Sequence, residues 1–412
     1  MTFHSKILLN AAAFSQAQPE IVFHISSLSS YRENKPAFFE SRPTNFVDMN
    51  LHSLLYFYRS NFTISIYHDK KDPSIICYTE IEVNKMKHNK IIFDCDIGCD
   101  DAVALIALLT NKELEVIAIT CVKGNIPADA VVKNALKVSN LCHKDIPVYK
   151  GCSSPMVRDL FKGREKNTLI QTIYKERNGK PVLIHDPDFD LPMPDRKVED
   201  KHACTYIIET LKNSKEKIDI CAVGPLTNIA MALRLDPEII DKIGTIYIMG
   251  GGLYIGNRTP VAEANFYDDP EAAQIVLNSG AHCLVCPIEA CEEGATYTIK
   301  DLEEIKALNT PIADFLYEEL HGYIERCDYL FGGGLNDCCI YDFASLIPLI
   351  DETAVLEKKK EIVNIDISGG MADGQMVVDR RGMFENTAET EIIYHMDPIK
   401  VHEILLKQLK EF

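Results

Sequence analysis

The first 85 residues contain no glycine, and all 21 glycines of the 412-residue chain lie beyond them. A globular chain needs glycine wherever a turn takes positive φ, so this fifth differs in kind from the rest, although 13 of the 34 (17 + 17) Phe and Tyr residues sit in it. It also lacks net charge, with eight basic against eight acidic side chains, so the whole formal charge of −18 belongs to residues 86–412. Positive charge is scarce there, and no Lys/Arg stripe interleaved with aromatics is visible, so nucleic acid is not an expected partner. No apolar run approaches the roughly 20 residues that span a bilayer, so no membrane association is expected. Zinc spacing is missing as well. Cys283 and Cys286 make half a site, and Cys338 and Cys339 are adjacent. The 14 cysteines are read as mostly buried, reduced thiols of a cytoplasmic protein, since a chain of this length buries a full core without disulfides.

In the glycine-free part, the apolar stretch Ile7–Phe14 is interrupted by Asn10, only Lys6 precedes it, and the first arginine is Arg32. That pattern argues against an organelle transit peptide. Met86-Lys-His-Asn-Lys-Ile-Ile-Phe93 reads like a natural start leading into a strand. Residues 1–85 are therefore expected to be an N-terminal extension, disordered or outside the functional protein, with one domain over residues 86–412 (412 − 85 = 327 residues).

Along that domain, strand-like apolar runs alternate with helical patterns. Strands are expected at 90–94, 114–120, 218–223, 243–249 and 283–287, with helices at 102–109, 128–141, from 227, and at 269–279. Short strands separated by helices mean βαβ units, so the expected class is α/β, a mostly parallel open sheet with helices on both faces. Ligands then bind beyond the carboxyl ends of the strands. Arg164–Pro181 is polar and charged, and reads as an inserted lid or loop.

The densest chemistry is Asp94-Cys-Asp96-Ile-Gly-Cys-Asp100-Asp101. Asp94 and Asp96 share one face of a strand end, and Asp100 and Asp101 fall where a helix begins. Helix capping accounts for one carboxylate, whereas four close together repel unless a cation neutralises them. Oxygen ligands without His or Cys favour Ca²⁺ or Mg²⁺. Other strand ends carry Lys123-Gly-Asn125, Val223-Gly-Pro-Leu-Thr-Asn228, Met249-Gly-Gly-Gly252 and then Asn257, Glu263 and Asn265. The glycine run has neither dinucleotide nor P-loop spacing. The last three residues together suit a hydroxyl-rich ligand, although any one alone reads better as a capping Asn or a solvated Glu.

Together these segments resemble the inosine–uridine-preferring nucleoside hydrolase family over residues 88–410. The family's DxDxGxDD signature stands here as DCDIGCDD (94–101), followed in family order by KGN (123–125), GPLTNIA (224–230), MGGG (249–252), AEAN (262–265) and GQMVVD (374–379). The resemblance implies a Rossmann-like nucleoside hydrolase fold and a Ca²⁺-dependent N-glycosyl hydrolase that splits ribonucleosides into base and ribose, in purine or pyrimidine salvage. It implies that Asp96 ligates Ca²⁺ and acts as base toward a metal-bound water. Asp101, the Val223 carbonyl and Asp342 would complete the ligands. Asp100, Asn125, Asn257, Glu263 and Asn265 would hold the ribose, with Asp94 supporting from behind. A homodimer or homotetramer is also implied.

The pattern departs from the family where the leaving base is activated. Tyr341 stands in the place of a proton-donating His before the last metal-binding Asp; a tyrosine there either stacks on the base or donates its hydroxyl proton. The family's HGxxGLG-like loop is replaced by His185-Asp-Pro-Asp-Phe-Asp-Leu-Pro192. Two alternatives are a haloacid-dehalogenase-like Mg²⁺ phosphatase, suggested by Phe93-Asp-Cys-Asp96, and a catalytically silent nucleoside- or ribose-binding relative.

Overall fold

The computed structural model describes residues 89–161, 163–164, 175–384 and 388–411, together with the backbone of five short strands before residue 84. The chain divides into two compact units, Met1–Lys87 and His88–Phe412. In the first, Lys6–Asn10, Val22–Ser26, Phe46–Met49, Phe62–Tyr67 and Cys77–Val83 pair as an antiparallel sheet. The expected character of residues 1–85 otherwise falls on positions outside the described residues, as does most of the expected lid, residues 165–174.

The second unit is built on a nine-stranded sheet. Its strands are β1 (Asn89–Cys95), β2 (Leu114–Cys121), β3 (Val148–Lys150), β4 (Ile218–Ala222), β5 (Ile243–Met249), β6 (Cys283–Cys286), β7 (Val355–Ile365), β8 (Met376–Val378) and β9 (Glu389–Met396). The spatial order is β8-β7-β9-β6-β5-β4-β1-β2-β3. All pairings are parallel except those that β7 makes with β8 and β9. The expected α/β class is therefore what the chain adopts.

Alternate residues of each strand enter different cores. Ile91, Phe93 and Cys95 face α1 (Cys99–Thr110) and α2 (Ala128–Leu141). Ile92, Ile220 and Ala222 face α3 (Ala203–Asn213), α4 (Thr227–Leu235) and α5 (Pro270–Leu277). Burial on both faces is why these strands are apolar throughout rather than alternating. Expected boundaries hold to within a residue or two, except that α1 begins at Cys99 rather than at 102. Its first turn is acidic yet fully buried, so an apolar count misses it.

The order also fixes where a ligand site lies. From β1 the chain builds outward to β2 and β3, then returns to place β4 on the other side of β1. The carboxyl ends of β1 and β4 thus flank the switch point, where connections diverge and leave a crevice. Asp94 and Val223 meet there, the Val223 amide donating to the Asp94 carbonyl at 2.9 Å.

Candidate active site

Asp94 lies on the α4 side of β1. Its Oδ1 accepts from Thr120 Oγ1 at 2.5 Å and Asn228 Nδ2 at 2.8 Å. Asp96, just beyond the strand, accepts from the Asn125 amide at 2.5 Å through Oδ2, while its Oδ1 is buried without a partner. That contact depends on Gly124: a Cβ there would stand 2.0 Å from Asp96 Oδ2 and 2.7 Å from Pro225.

The first turn of α1 delivers the next two carboxylates. Asp101 accepts from the amides of Gly98 at 2.7 Å and Asp96 at 3.2 Å, so it closes the strand-to-helix turn. Asp100 keeps a buried Oδ1 without a hydrogen-bond donor. Asp342, in the first turn of α8 (Tyr341–Asp351), comes from a distant part of the chain. One carboxylate oxygen from each of Asp100, Asp101 and Asp342 lies within 4.8 Å of the others.

Desolvation dominates the electrostatics. It lifts Asp94 and Asp96 to about 7 and Asp100 to about 6. Asp101 and Asp342 are pushed well above the carboxylate range by burial first and then by the neighbouring aspartates. Orphaned, mutually repelling carboxylate oxygens fit a hard, oxygen-preferring cation. The residues available to hold one are Asp96, Asp100, Asp101, Asp342 and the Val223 carbonyl. That carbonyl already accepts from Asn265 Nδ2 at 2.8 Å and retains a second lone pair.

The expected ribose residues are distributed differently. Asn265 is buried, and its amide also donates to the Met249 carbonyl at 3.1 Å. Glu263 is not solvated: it is 1 % exposed, and its carboxylate accepts from the amides of Gly251, Asn265 and Phe266. It therefore shapes the turn after β5, and burial lifts it to about 7. Asn257 is exposed and accepts from the Ala264 amide at 2.9 Å. Asn125 is exposed, and its recorded contact with Asp96 is through its backbone. Tyr341 donates its hydroxyl to Glu292 Oε1 at 3.2 Å.

His185 was not among the expected site residues. It sits against the turn at Gly98, with Nδ1 3.9 Å from Asp100 Oδ1 and without a hydrogen-bond partner. Desolvation, then Arg326 and Arg258, hold its pKa down at about 3, so the imidazole is neutral at physiological pH. Its ring lies 5.5 Å from that of Tyr323. Its signal in the sequence was its place, at the head of the segment 185–192 that stands where the family's HGxxGLG-like loop would. Thr120 and Asn228, which saturate one oxygen of Asp94, were also missed; only Asn228 stood in a recognised motif.

Residues 91–403 match the inosine-uridine preferring nucleoside hydrolase family. The chain belongs to that family. It is 31% identical over 326 residues to an inosine-uridine preferring nucleoside hydrolase of Crithidia fasciculata, covering 78% of this chain and 97% of the relative. It is 30% identical over 326 residues to a pyrimidine-specific ribonucleoside hydrolase, RihA, of Salmonella schwarzengrund, covering 78% and 98%. Among solved structures, the purine-preferring ribonucleoside hydrolase from Gardnerella vaginalis superposes with a TM-score of 0.68 at 28% identity, covering 78% of this chain and 98% of that one. This nucleoside hydrolase is thus an N-glycosyl hydrolase of a generally metal-dependent family, and the phosphatase alternative falls away. Among the described residues no helix is long and apolar enough to cross a membrane.

Proposed function

We propose that this nucleoside hydrolase cleaves the N-glycosidic bond of purine or pyrimidine ribonucleosides with Ca²⁺ as its cation and Asp96 as its general base. The observation that carries this reading is the convergence of Asp100, Asp101 and Asp342 within 4.8 Å beside the orphaned Oδ1 of Asp96. When bound, the cation offsets the carboxylate charge and lowers the pKa of an attacking water. Asp96 takes the proton from that water, and its oxygens are fixed for the purpose by the Asn125 amide and the close approach at Gly124. The remaining carboxylates stabilise the positive charge that builds on the sugar as the bond to the base breaks.

Asp100, Asn125, Asn257, Glu263 and Asn265 bind the ribose hydroxyls in this reading. Glu263 and Asn257 do so in addition to holding the loop between β5 and α5. Tyr341 lies on the side of the leaving base, its ring forming a wall and its hydroxyl donating to the base when it turns from Glu292. We further propose a cytoplasmic homodimer or homotetramer whose functional chain begins near Met86; light scattering and sequencing of the endogenous N-terminus test these points.

The main test is ribose release from inosine, guanosine, uridine and cytidine, with and without chelator. Release restored by Ca²⁺ supports the reading. Binding without turnover of any nucleoside overturns it in favour of a silent relative.

A further inference from the structure

A second group of ligand-type side chains meets on the α3 and α4 side of the sheet, apart from the carboxylates. Cys152 follows β3, His202 caps α3, and Cys204 lies in the first turn of that helix. The sulfurs of Cys152 and Cys204 are 3.9 Å apart, and one ligand atom from each of the three residues lies within 4.8 Å of the others. Two thiolates on a tetrahedral ion with metal–sulfur bonds of ~2.3 Å stand about 3.8 Å apart. A disulfide needs ~2.05 Å. The two sulfurs share a hydrogen bond at that separation, and the same separation lets both ligate one ion without the chain moving.

The hydrogen bond with Cys152 and burial push the Cys204 thiol well above its ordinary value, so its proton leaves only as the ion binds. Cys204 sits at the amino end of an 11-residue helix, where the macrodipole favours a thiolate. The Cys152 thiol is drawn below its ordinary value by the hydrogen bond with Cys204. Without an ion the Cys204 thiol donates to the Asn228 carbonyl at 3.4 Å, a bond that metal binding would replace. His202 is exposed and opens a route for an ion. A donor set of two sulfurs and one imidazole excludes the hard cation of the carboxylate site and selects a thiophilic one.

We propose that Cys152, His202 and Cys204 form a second metal site, for a thiophilic divalent ion of the zinc class, with water completing four-coordination. Such an ion ties the loop after β3 to the start of α3. It also braces the floor of the carboxylate site, because the Cys152 amide donates to Asn228 Oδ1 at 2.8 Å and Asn228 donates to Asp94. The proposal stands whether or not the hydrolase reading is right in detail.

The test is a Co²⁺ titration of the full reduced chain in excess Ca²⁺, read by the sulfur-to-cobalt charge-transfer band, which carboxylates cannot produce. One Co²⁺ per chain, displaced by Zn²⁺, is expected. The band should vanish in Cys152→Ser and Cys204→Ser. It should survive in Cys286→Ser, which breaks another close pair of sulfurs, 3.4 Å apart. If the cysteine variants fail to fold, His202→Asn decides, since asparagine keeps the helix cap but removes the imidazole. Its Co²⁺ affinity should fall by more than the ~10–100-fold that loss of an outer partner costs. Absence of the band in the native chain, its persistence without either cysteine, or unchanged affinity in His202→Asn overturns the site. So does a Cys152–Cys204 disulfide that takes up no cobalt.

Discussion

The carboxylate side of the site and the side assigned to the leaving base are held in different ways. Asp94 comes from the end of a buried central strand, Asp96 from the three-residue turn after it, and Asp100 and Asp101 from the helix that follows. Asp94, Asp96 and Asp101 are held in place by amides, by Thr120 and by Asn228. Tyr341, proposed above for the leaving base, comes instead from a helix start, and its hydroxyl donates to Glu292. A charged centre must be rigid to be useful, because stabilising developing charge requires donors and acceptors already in place. A wall against a flat base needs only shape, so in the proposed reading that side would tolerate replacement of one residue by another.

If that contrast is right, removing the cation should be the most damaging change, and it should damage every substrate alike. Chelation is expected to abolish ribose release across the nucleoside panel, with recovery on adding Ca²⁺; release persisting for one base would break the contrast. The same experiment has a stability counterpart. Burial holds Asp94 and Asp96 at about 7 and Asp100 at about 6, against 3.8 for a free aspartate. Between those values the folded chain binds protons that the unfolded chain does not. The chelated protein therefore loses stability as pH rises from about 4 to about 7. Ca²⁺ stabilises the charged forms, so the Tm increment it gives should be small near pH 4 and full above pH 7. An increment independent of pH would show that the carboxylates are not its cause.

Next in size is Asp96→Asn, which keeps the shape and removes the base. A fall in kcat of about 10²–10⁴-fold is expected, equal for all bases; unchanged activity refutes the mechanism. Gly124→Ala acts on the same carboxylate from outside. The new methyl would stand 2.0 Å from Asp96 Oδ2, so either the loop or the carboxylate must shift. A displacement of about 1 Å costs roughly 10²-fold in rate, again without regard to base. A Gly124→Ala enzyme that changes its base preference would mean that the two sides are coupled.

The same contrast explains what could be read from the chain. The central strands were legible because both faces are buried, which leaves apolar runs such as Ile218–Val223 with little ambiguity. The acidic signature was legible because strand end, turn and helix start are contiguous, so local spacing dictates spatial neighbours. Asp342 was reached only through the family resemblance, being far away in the chain. His185 was legible only as the head of a replaced family loop, since its neighbour Asp100 is supplied by folding rather than by spacing. Cys152, His202 and Cys204 illustrate the same limit: zinc spacing was sought among cysteines close in sequence, and these three meet only because β3 packs beside the start of α3. Glu263 was legible as a site-proximal carboxylate but not as a buried one, because the Gly251 amide that helps satisfy it comes from twelve residues away.

Tyr341→Phe should have the smallest effect and tests the contrast most finely. It removes one hydroxyl, which donates to Glu292 at 3.2 Å, and leaves the ring. A hydrogen bond from that hydroxyl to the uncharged base would contribute about 1 kcal/mol, or roughly fivefold in rate. If the hydroxyl serves the leaving base, the loss should fall on kcat and differ between purine and pyrimidine nucleosides, because their acceptor atoms lie at different places on the ring. If the ring alone matters, Tyr341→Phe should be silent while Tyr341→Ala raises KM, most for the larger purines. An equal loss for all bases, matching the profile of Asp96→Asn, would place Tyr341 with the carboxylates and remove the division of the site into a rigid charged side and an adaptable one.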